Sequence, residues 1–151
     1  MKTVWAIKRF DELTLHELHD VYTLRTRVFI VEQNCVYDEI DGKDPVAIHV
    51  LCHGPSGELV AYARILPPDD GGLPHVGRVV IQKDHRGTGL STELMDRTLA
   101  ALRSHFGSAR SALAAQSPLE SFYGRFGYTR TGPDYDWDGI MHVDMVREKD
   151  L

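Results

Sequence analysis

Cysteine is scarce in this chain of 151 residues, with Cys35 and Cys52 as the only two. Two cysteines make no disulfide framework, so the expected setting is a reducing compartment, the cytoplasm. Basic charge is also short. Seventeen Lys and Arg stand against 22 Asp and Glu, a formal net charge of −5. That balance argues against a general nucleic-acid or anionic-membrane binder, whose affinity comes from clustered basic residues. It suits a cationic small molecule better, so no nucleic acid and no membrane are expected as partners. Long hydrophobic runs are missing too: none approaches the ~20 residues that span a bilayer. The opening MKTVWAIKRF lacks the apolar core of a signal peptide. Repeats, low-complexity segments and interdomain linkers are likewise absent. Residues 1–151 are therefore expected to form a single domain, large enough to bury a proper core.

What the sequence does have is concentrated in HVGRVVIQKDHRGTGLSTELMDRTLAAL, residues 75–102. The first seven are rich in β-branched residues and read as a strand, with Arg78 and Val80 on one face and Val79 and Ile81 on the other. From Ser91 onward Leu94, Met95, Thr98, Leu99, Leu102 and Phe106 recur at helical spacing, and Gly107 supplies a stop. Between strand and helix lies His85-Arg86-Gly87-Thr88-Gly89-Leu90-Ser91. Two glycines let the backbone curl so that several N–H groups point inward where a helix begins. Free donors and partial positive charge at that end attract an anion, and a phosphate is the expected guest.

The remaining elements read as follows. Residues 3–10 form an opening strand. Thr14-Leu15-His16-Glu17 is a capping box that starts a helix running to about Val31, with Leu15, Leu18, Val21, Tyr22, Leu24, Val28 and Phe29 at helical intervals. Residues 32–45 are polar and turn-rich, too irregular for a regular element. Residues 48–53 and 59–66 are strands joined by a Gly-Pro-Ser-Gly hairpin loop. Residues 110–115 make a short strand, after which Ser117 caps a helix with Pro118 at its first position and Glu120 at its third. Leu119, Phe122, Tyr123 and Phe126 form that helix's apolar face, and Gly127 ends it. Residues 128–135 and 141–147 close the chain as strands around the turn Asp136-Trp137-Asp138-Gly139. The pattern predicts an α+β domain with a mixed sheet.

These residues resemble the GCN5-related N-acetyltransferases. The acetyl-CoA loop of that family is Arg or Gln, two variable residues, Gly, one variable residue, then Gly or Ala, and here it reads Arg86-Gly87-Thr88-Gly89-Leu90-Ser91. Ser91 departs from the final small position but keeps its N–H. A second family segment is matched by AAQSPLESFYGRFGY, with Gln116 where Asn is usual and Tyr123 seven residues later. LRTRVFIVEQNC, EIDGKD, AYARIL, GRVVI and DGIMH are similar to the ElaA-like branch of the family, so the likeness covers most of the chain. A dinucleotide fingerprint fails for want of its third glycine, and a Walker loop for want of Gly-Lys-Ser/Thr.

The resemblance implies a mixed, largely antiparallel β-sheet flanked by helices, an α+β (α/β) architecture splayed between the central strand and the parallel strand that follows. It implies an acyltransferase that moves an acetyl group from acetyl-CoA to a primary amine of a small molecule or protein, by direct transfer in a ternary complex. Arg86, Gly87, Thr88, Gly89, Leu90 and Ser91 would hold the CoA pyrophosphate. Val79, Val80 and Ile81 would bond the pantetheine arm along their backbone, with Gln116 and Tyr123 beside it, and Tyr123 would donate the proton to the departing thiolate. Glu32, His49 and His142 are the candidates for a general base, acting directly or through water. Glu32, Asp41, His49, Arg64 and His142 are the candidates for lining the acceptor pocket, and Asp41, Asp44, Asp136 and Asp138 for holding a cationic acceptor.

No metal is expected. His49 and Cys52 fall on opposite faces of a strand, and Cys35 and His53 add no Cys-x-x-Cys pair. Monomer and homodimer both remain open. One rival comes from Arg25-x-x-x-Phe29, Glu39-x-Asp41-x-x-Asp44 and Arg64, which resemble the acceptor half of acyl-homoserine-lactone synthases. Those enzymes take acyl groups from a carrier protein, are longer, and lack the Arg86–Ser91 loop. Another rival is a CoA-binding module without catalysis.

Overall fold

Thr14 opens the first helix as its sequence pattern predicts. In the computed structural model, which describes residues 2–150, the Thr14 hydroxyl accepts from the Glu17 N–H at 3.0 Å, and the Glu17 carboxylate accepts from the Thr14 N–H at 2.9 Å. Helix α1 (Leu15–Arg25) follows strand β1 (Val4–Arg9) and is tied to it by a 2.8 Å ion pair between Lys8 and Glu17. The helix predicted to run unbroken to about Val31 instead widens after Arg25 into a π-helical segment, Thr26–Glu32. Its end is visible in the bonds Gln33 N–H to Val28 and Cys35 N–H to Ile30, both five residues back. Such widening carries no periodicity signal in the sequence and recurs at functional sites.

Strands β2 (Ile48–His53), β3 (Leu59–Leu66) and β4 (His75–Ile81) have the predicted bounds and pair antiparallel in turn. Helix α2 (Leu90–Phe106) starts at Gly89 and stops at Gly107, both with left-handed φ near 80°, a conformation that glycine adopts without a Cβ penalty. Strand β5 (Ser111–Gln116) leads through a 3-10 turn at Ser117–Leu119 into α3 (Glu120–Gly124). Here the structure corrects the sequence: Ser117 caps no helix with its side chain, and Pro118 opens a 3-10 turn rather than an α-helix. The closing strands are β6 (Thr129–Arg130), β7 (Tyr135–Trp137) and β8 (Ile140–Arg147). The expected strand over residues 128–135 is broken in two. Trp137 lies in β7 rather than in the turn, because the turn is only Asp138-Gly139, both at positive φ.

The sheet runs β1-β2-β3-β4-β5-β8-β6, with β7 on β8. Among the described residues every pairing is antiparallel except β4 with β5, which is parallel and consists of one residue pair, His75 with Ala112. Beyond that pair the two strands part, so the expected splay is present. Two cores flank the sheet. On one face α2 and α3 cover Val50, Val60, Ile65, Leu113, Val143 and Met145, with Leu94, Met95, Leu102 and Tyr123 packed in. On the other, Val21, Leu24 and Val28 pack on Leu51, Tyr62 and Val80.

Strand β4 carries a bulge. Tyr62 faces Val80 and Arg64 faces Gly77, so Arg78 and Val79 together oppose the single residue between them on β3. Arg78 takes φ +51°, sparsely populated for a residue with a Cβ. The insertion puts Val76 in the α2-side core and Val80 in the α1-side core, which strict alternation would forbid. Arg78 and Val80 still share the α1 face, and Val79 and Ile81 the other, as the sequence predicts.

Candidate functional site

The loop after β4 exposes donors. The N–H groups of Gly87, Thr88 and Gly89 make no backbone hydrogen bond among the described residues. Those of Leu90 and Ser91 open α2, where first-turn donors have no intrahelical acceptor. Gly87 and Gly89 both hold φ near 80°, and a Cβ on either would meet nothing within 4 Å. The glycines are therefore required for backbone conformation and not for space. Arg86 reaches away from this curl: its Nε donates to the Ile81 carbonyl at 3.2 Å, and its two terminal nitrogens meet the Glu32 carboxylate at 2.6 and 3.1 Å.

Glu32 is thus fixed beside the loop, at the end of the π-helical segment. The Arg86 bonds hold its carboxyl below the usual carboxylate range, which favours the ionised, engaged form over a proton-accepting one.

Tyr123 lies on the α2 side, 6% exposed, with its ring edge-on to Phe122 at 5.1 Å and to Tyr128 at 6.2 Å. Burial, helped by Tyr128, pushes its pKa well above that of a free phenol. The hydroxyl stays protonated throughout the range in which thiols titrate. His142 lies on the opposite face of the sheet. It pairs with Gln116 on β5 and with Tyr135 on β7. Its Nδ1 stands 2.8 Å from the Ile140 carbonyl, and a carbonyl only accepts, so Nδ1 carries the proton. In the neutral ring this leaves the Nε2 lone pair free, the arrangement a general base needs.

The acidic loop, residues 33–47 between the π-helical segment and β2, closes over the α1 face as a network of charges. Arg25, fully buried, donates from Nε to Glu39 and from Nη1 to Asp44, each at 2.7 Å. Arg64 grips Asp41 with both terminal nitrogens, at 2.6 and 2.9 Å, and shares Asp44 at 3.0 Å. Arg78, at the bulge, donates to the same Glu39 oxygen at 2.7 Å. Burial opposes charge on Asp41, but the Arg64 bonds outweigh it and hold its carboxyl well below the usual range.

His49 belongs to this layer. Its Nε2 meets the Asp44 carbonyl at 3.0 Å and its Nδ1 meets the Tyr62 hydroxyl at 2.6 Å. The carbonyl assigns the proton to Nε2, so Nδ1 accepts from Tyr62. The ring is fully buried, with both nitrogens occupied and its pKa lowered by that burial. It offers nothing to an acceptor molecule.

The predicted residues therefore fall into three groups. Residues 86–91 and Glu32 form one end of the β4–β5 gap, and Val79, Val80 and Ile81 lie on the β4 side of that gap, past its one β5 pair. Tyr123 comes from one face, and Gln116 and His142 from the two strands beyond. Asp41 and Arg64 pair with each other beneath the acidic loop, and His49 joins them only through Asp44, whose carbonyl meets its Nε2 and whose carboxylate Arg64 shares. Small half-buried residues, Ala112 and Ala114, line the α1 face of β5. The acidic loop reaches the β7–β8 hairpin where the Cys35 thiol lies 3.4 Å from the Asp138 carbonyl. Sequence reasoning missed two aromatic residues of this hairpin, Tyr135 and Trp137. The signal was Asp138-Gly139, a pair that favours a two-residue hairpin turn and so carries the flanking strands right up to it.

The sequence pattern of the acetyltransferase (GNAT) domain matches residues 18–149. Protein ElaA of Escherichia coli is 40% identical over 147 residues, covering 95% of each chain. The crystal structure of an acyl-CoA N-acyltransferase from Pseudomonas aeruginosa superposes with a TM-score of 0.91 at 39% identity, covering 97% of this chain and 99% of that one. The acyl-homoserine-lactone synthase LasI shares the fold, with a TM-score of 0.77 at 19% identity over 96% of this chain and 89% of that one.

Proposed function

Because the chain belongs to the GNAT acetyltransferase family, we propose that it transfers an acetyl group from acetyl-CoA directly to a primary amine within a ternary complex. The observation that carries this reading is the parting of β4 and β5 after a single pair, directly before a curl of free N–H groups. The fit is chemical as well as spatial. The curl suits a diphosphate, and the unpaired side of β4 suits an amide-bearing arm that adds as a strand would.

Acetyl-CoA supplies an activated thioester. Residues 87–91 hold its diphosphate, and Arg86, braced by Glu32, stands beside them. The backbone of residues 79–81 orients the pantetheine arm, next to Gln116. His142 Nε2 takes a proton from the incoming ammonium, directly or through water; the freed amine then attacks the thioester carbon, and as the carbon–sulfur bond breaks Tyr123 gives its proton to the sulfur and recovers one from the attacking nitrogen. Cys35 and Cys52, buried and unpaired, support a reducing, cytoplasmic setting.

Incubation with acetyl-CoA and a panel of amines, followed by mass spectrometry of the products, tests the reaction. Gly89→Glu tests the site. It sets a carboxylate against the diphosphate, and like-charge juxtaposition costs several kcal/mol, so acetyl-CoA affinity should fall by more than about fifty-fold. The strain of a side chain at left-handed φ should lower stability by only about 1–2 kcal/mol. Unchanged affinity in a folded variant removes the site. A second reading, a longer acyl group delivered by a carrier protein, is favoured by Arg25, Glu39, Asp41, Asp44 and Arg64 joining in one network and by the fold shared with LasI. Acyl carrier protein replacing acetyl-CoA as donor would establish it. Binding of CoA with no product from any donor would indicate a non-catalytic module.

A further inference from the structure

On the β7–β8 hairpin, Tyr135 pairs with His142 and Trp137 with Ile140, so Tyr135, Trp137, His142 and Asp144 share one face. That face borders a shallow cleft of about 540 Å³ lined by Tyr135, Asp136, Trp137 and Asp144. Trp137 is half exposed, unusual for the largest apolar side chain. Its ring and that of Tyr135 both contact the imidazole of His142, at 5.3 and 6.1 Å between centroids, which fixes their orientation.

Two features give the cleft a sign. Asp144 accepts from the Tyr135 hydroxyl at 2.6 Å and makes no ion pair among the described residues. Asp136 is different, because its Oδ1 holds the Gly139 N–H and shapes the turn. Elsewhere the chain covers aromatic faces with its own guanidinium groups: Arg97 lies over Trp5, Arg25 over Tyr22 and Tyr62, and Arg78 over Tyr37. No Lys or Arg of the described residues lies over Trp137 or Tyr135, whose ring neighbour is the imidazole of His142. Two negative ring faces and one uncompensated carboxylate repel anions and attract an organic cation.

We propose that this hairpin cleft binds an organic cation, and that the acceptor is a small amine carrying a second positive group. The inference rests on the acyl-transfer reading. The Trp137 and Tyr135 rings hold the cationic end, Asp144 neutralises it, and the reacting amine extends toward His142 Nε2, on the same face. Each contact is individually modest, so the effects should be moderate and graded.

Two measurements separate this inference from the reaction it rests on. The first is binding alone. Choline and its uncharged carbon isostere are titrated while the indole N–H resonances of Trp5 and Trp137 are followed by NMR. Choline should shift Trp137 and not Trp5, and should bind at least about five-fold tighter than the isostere. Asp144→Asn, which keeps the size and the acceptor for Tyr135, should weaken choline about five-fold. Trp137→Ala should weaken it as much, with Trp137→Phe restoring part. The second is turnover of a linear diamine against the monoamine of equal length. The diamine should show about ten-fold higher kcat/KM, and Asp144→Asn should erase the preference while sparing the monoamine. Equal binding of choline and isostere, or indifference of choline to Asp144→Asn, overturns the cation site. If the monoamine is still acetylated, the acyl-transfer reading survives that result. Conversely, choline bound with these dependences and no transfer to any amine would leave the cation site standing and overturn the acyl-transfer reading.

Discussion

Replacing Tyr123 by phenylalanine should lower kcat about a hundred-fold or more while leaving the dissociation constant of acetyl-CoA within about two-fold, since a positioned proton donor is worth roughly 10² to 10⁴ in rate. The substitution keeps what the ring does for the fold. Its packing against Phe122 and Tyr128 is ring against ring, and burial, with Tyr128 nearby, raises the phenol's pKa. A phenol with a raised pKa is a weak acid for a thiolate that ordinarily titrates near ~8.5. The same burial, however, disfavours the thiolate and raises its proton affinity too, which brings donor and acceptor closer to a match. Because the shift is upward, deprotonation of Tyr123 contributes no alkaline decline in the range where free thiols titrate, and the acidic limb of the pH profile belongs to the base and the amine. Stopped-assay product formation beside calorimetric acetyl-CoA binding decides the matter. Wild-type turnover in the phenylalanine variant removes Tyr123 from the chemistry.

How much of this was legible in the chain depends on how local the physics is. Residues 86–91 could be read because glycine spacing, strand pattern and helix pattern all lie within thirty residues of sequence, and the structure repeats them element for element. The bulge at Arg78 could not, since an arginine at positive φ leaves no compositional mark. It is held by Glu39, a residue 39 positions away. His49 illustrates the same limit. A histidine on a strand looks like a base until the Asp44 carbonyl and the Tyr62 hydroxyl are seen to occupy both nitrogens. Glu32 looks catalytic for its position after a helix, and only the fold brings Arg86 to it across 54 residues. The hairpin aromatics are a different failure. Asp138-Gly139 is a local signal, and reading Trp137 as turn instead of strand hides the face it shares with Tyr135 and Asp144.

Arg25→Met should be the most destabilising single change at the network, by about 3–5 kcal/mol, the cost of removing one partner from a buried ion pair. Arg25 is fully buried and neutralises part of both Glu39 and Asp44. Methionine fills much of the volume but leaves three carboxylates facing Arg64 and Arg78 alone, with the positive-φ turn at Arg78 now bearing more of Glu39. Against a typical total of 5–15 kcal/mol, that loss should lower Tm by about 10 °C and shift the urea midpoint without changing its slope. Removing charge on the other side tests the cause: Arg25→Met with Asp44→Asn should cost less than the two single changes added, because the neutral amide no longer needs the missing guanidinium. The acid behaviour follows from Asp41. Its folded pKa is depressed, so its contribution is complete above the unfolded value near ~4 and is lost only as pH falls toward the lower folded value. Wild-type Tm should therefore drop below about pH 4, where the unfolded chain takes up a proton that the folded one refuses. A loss under about 1 kcal/mol for Arg25→Met, or additivity in the double variant, would mean that these charges are hydrated in solution and that the acidic loop does not seal the α1 face.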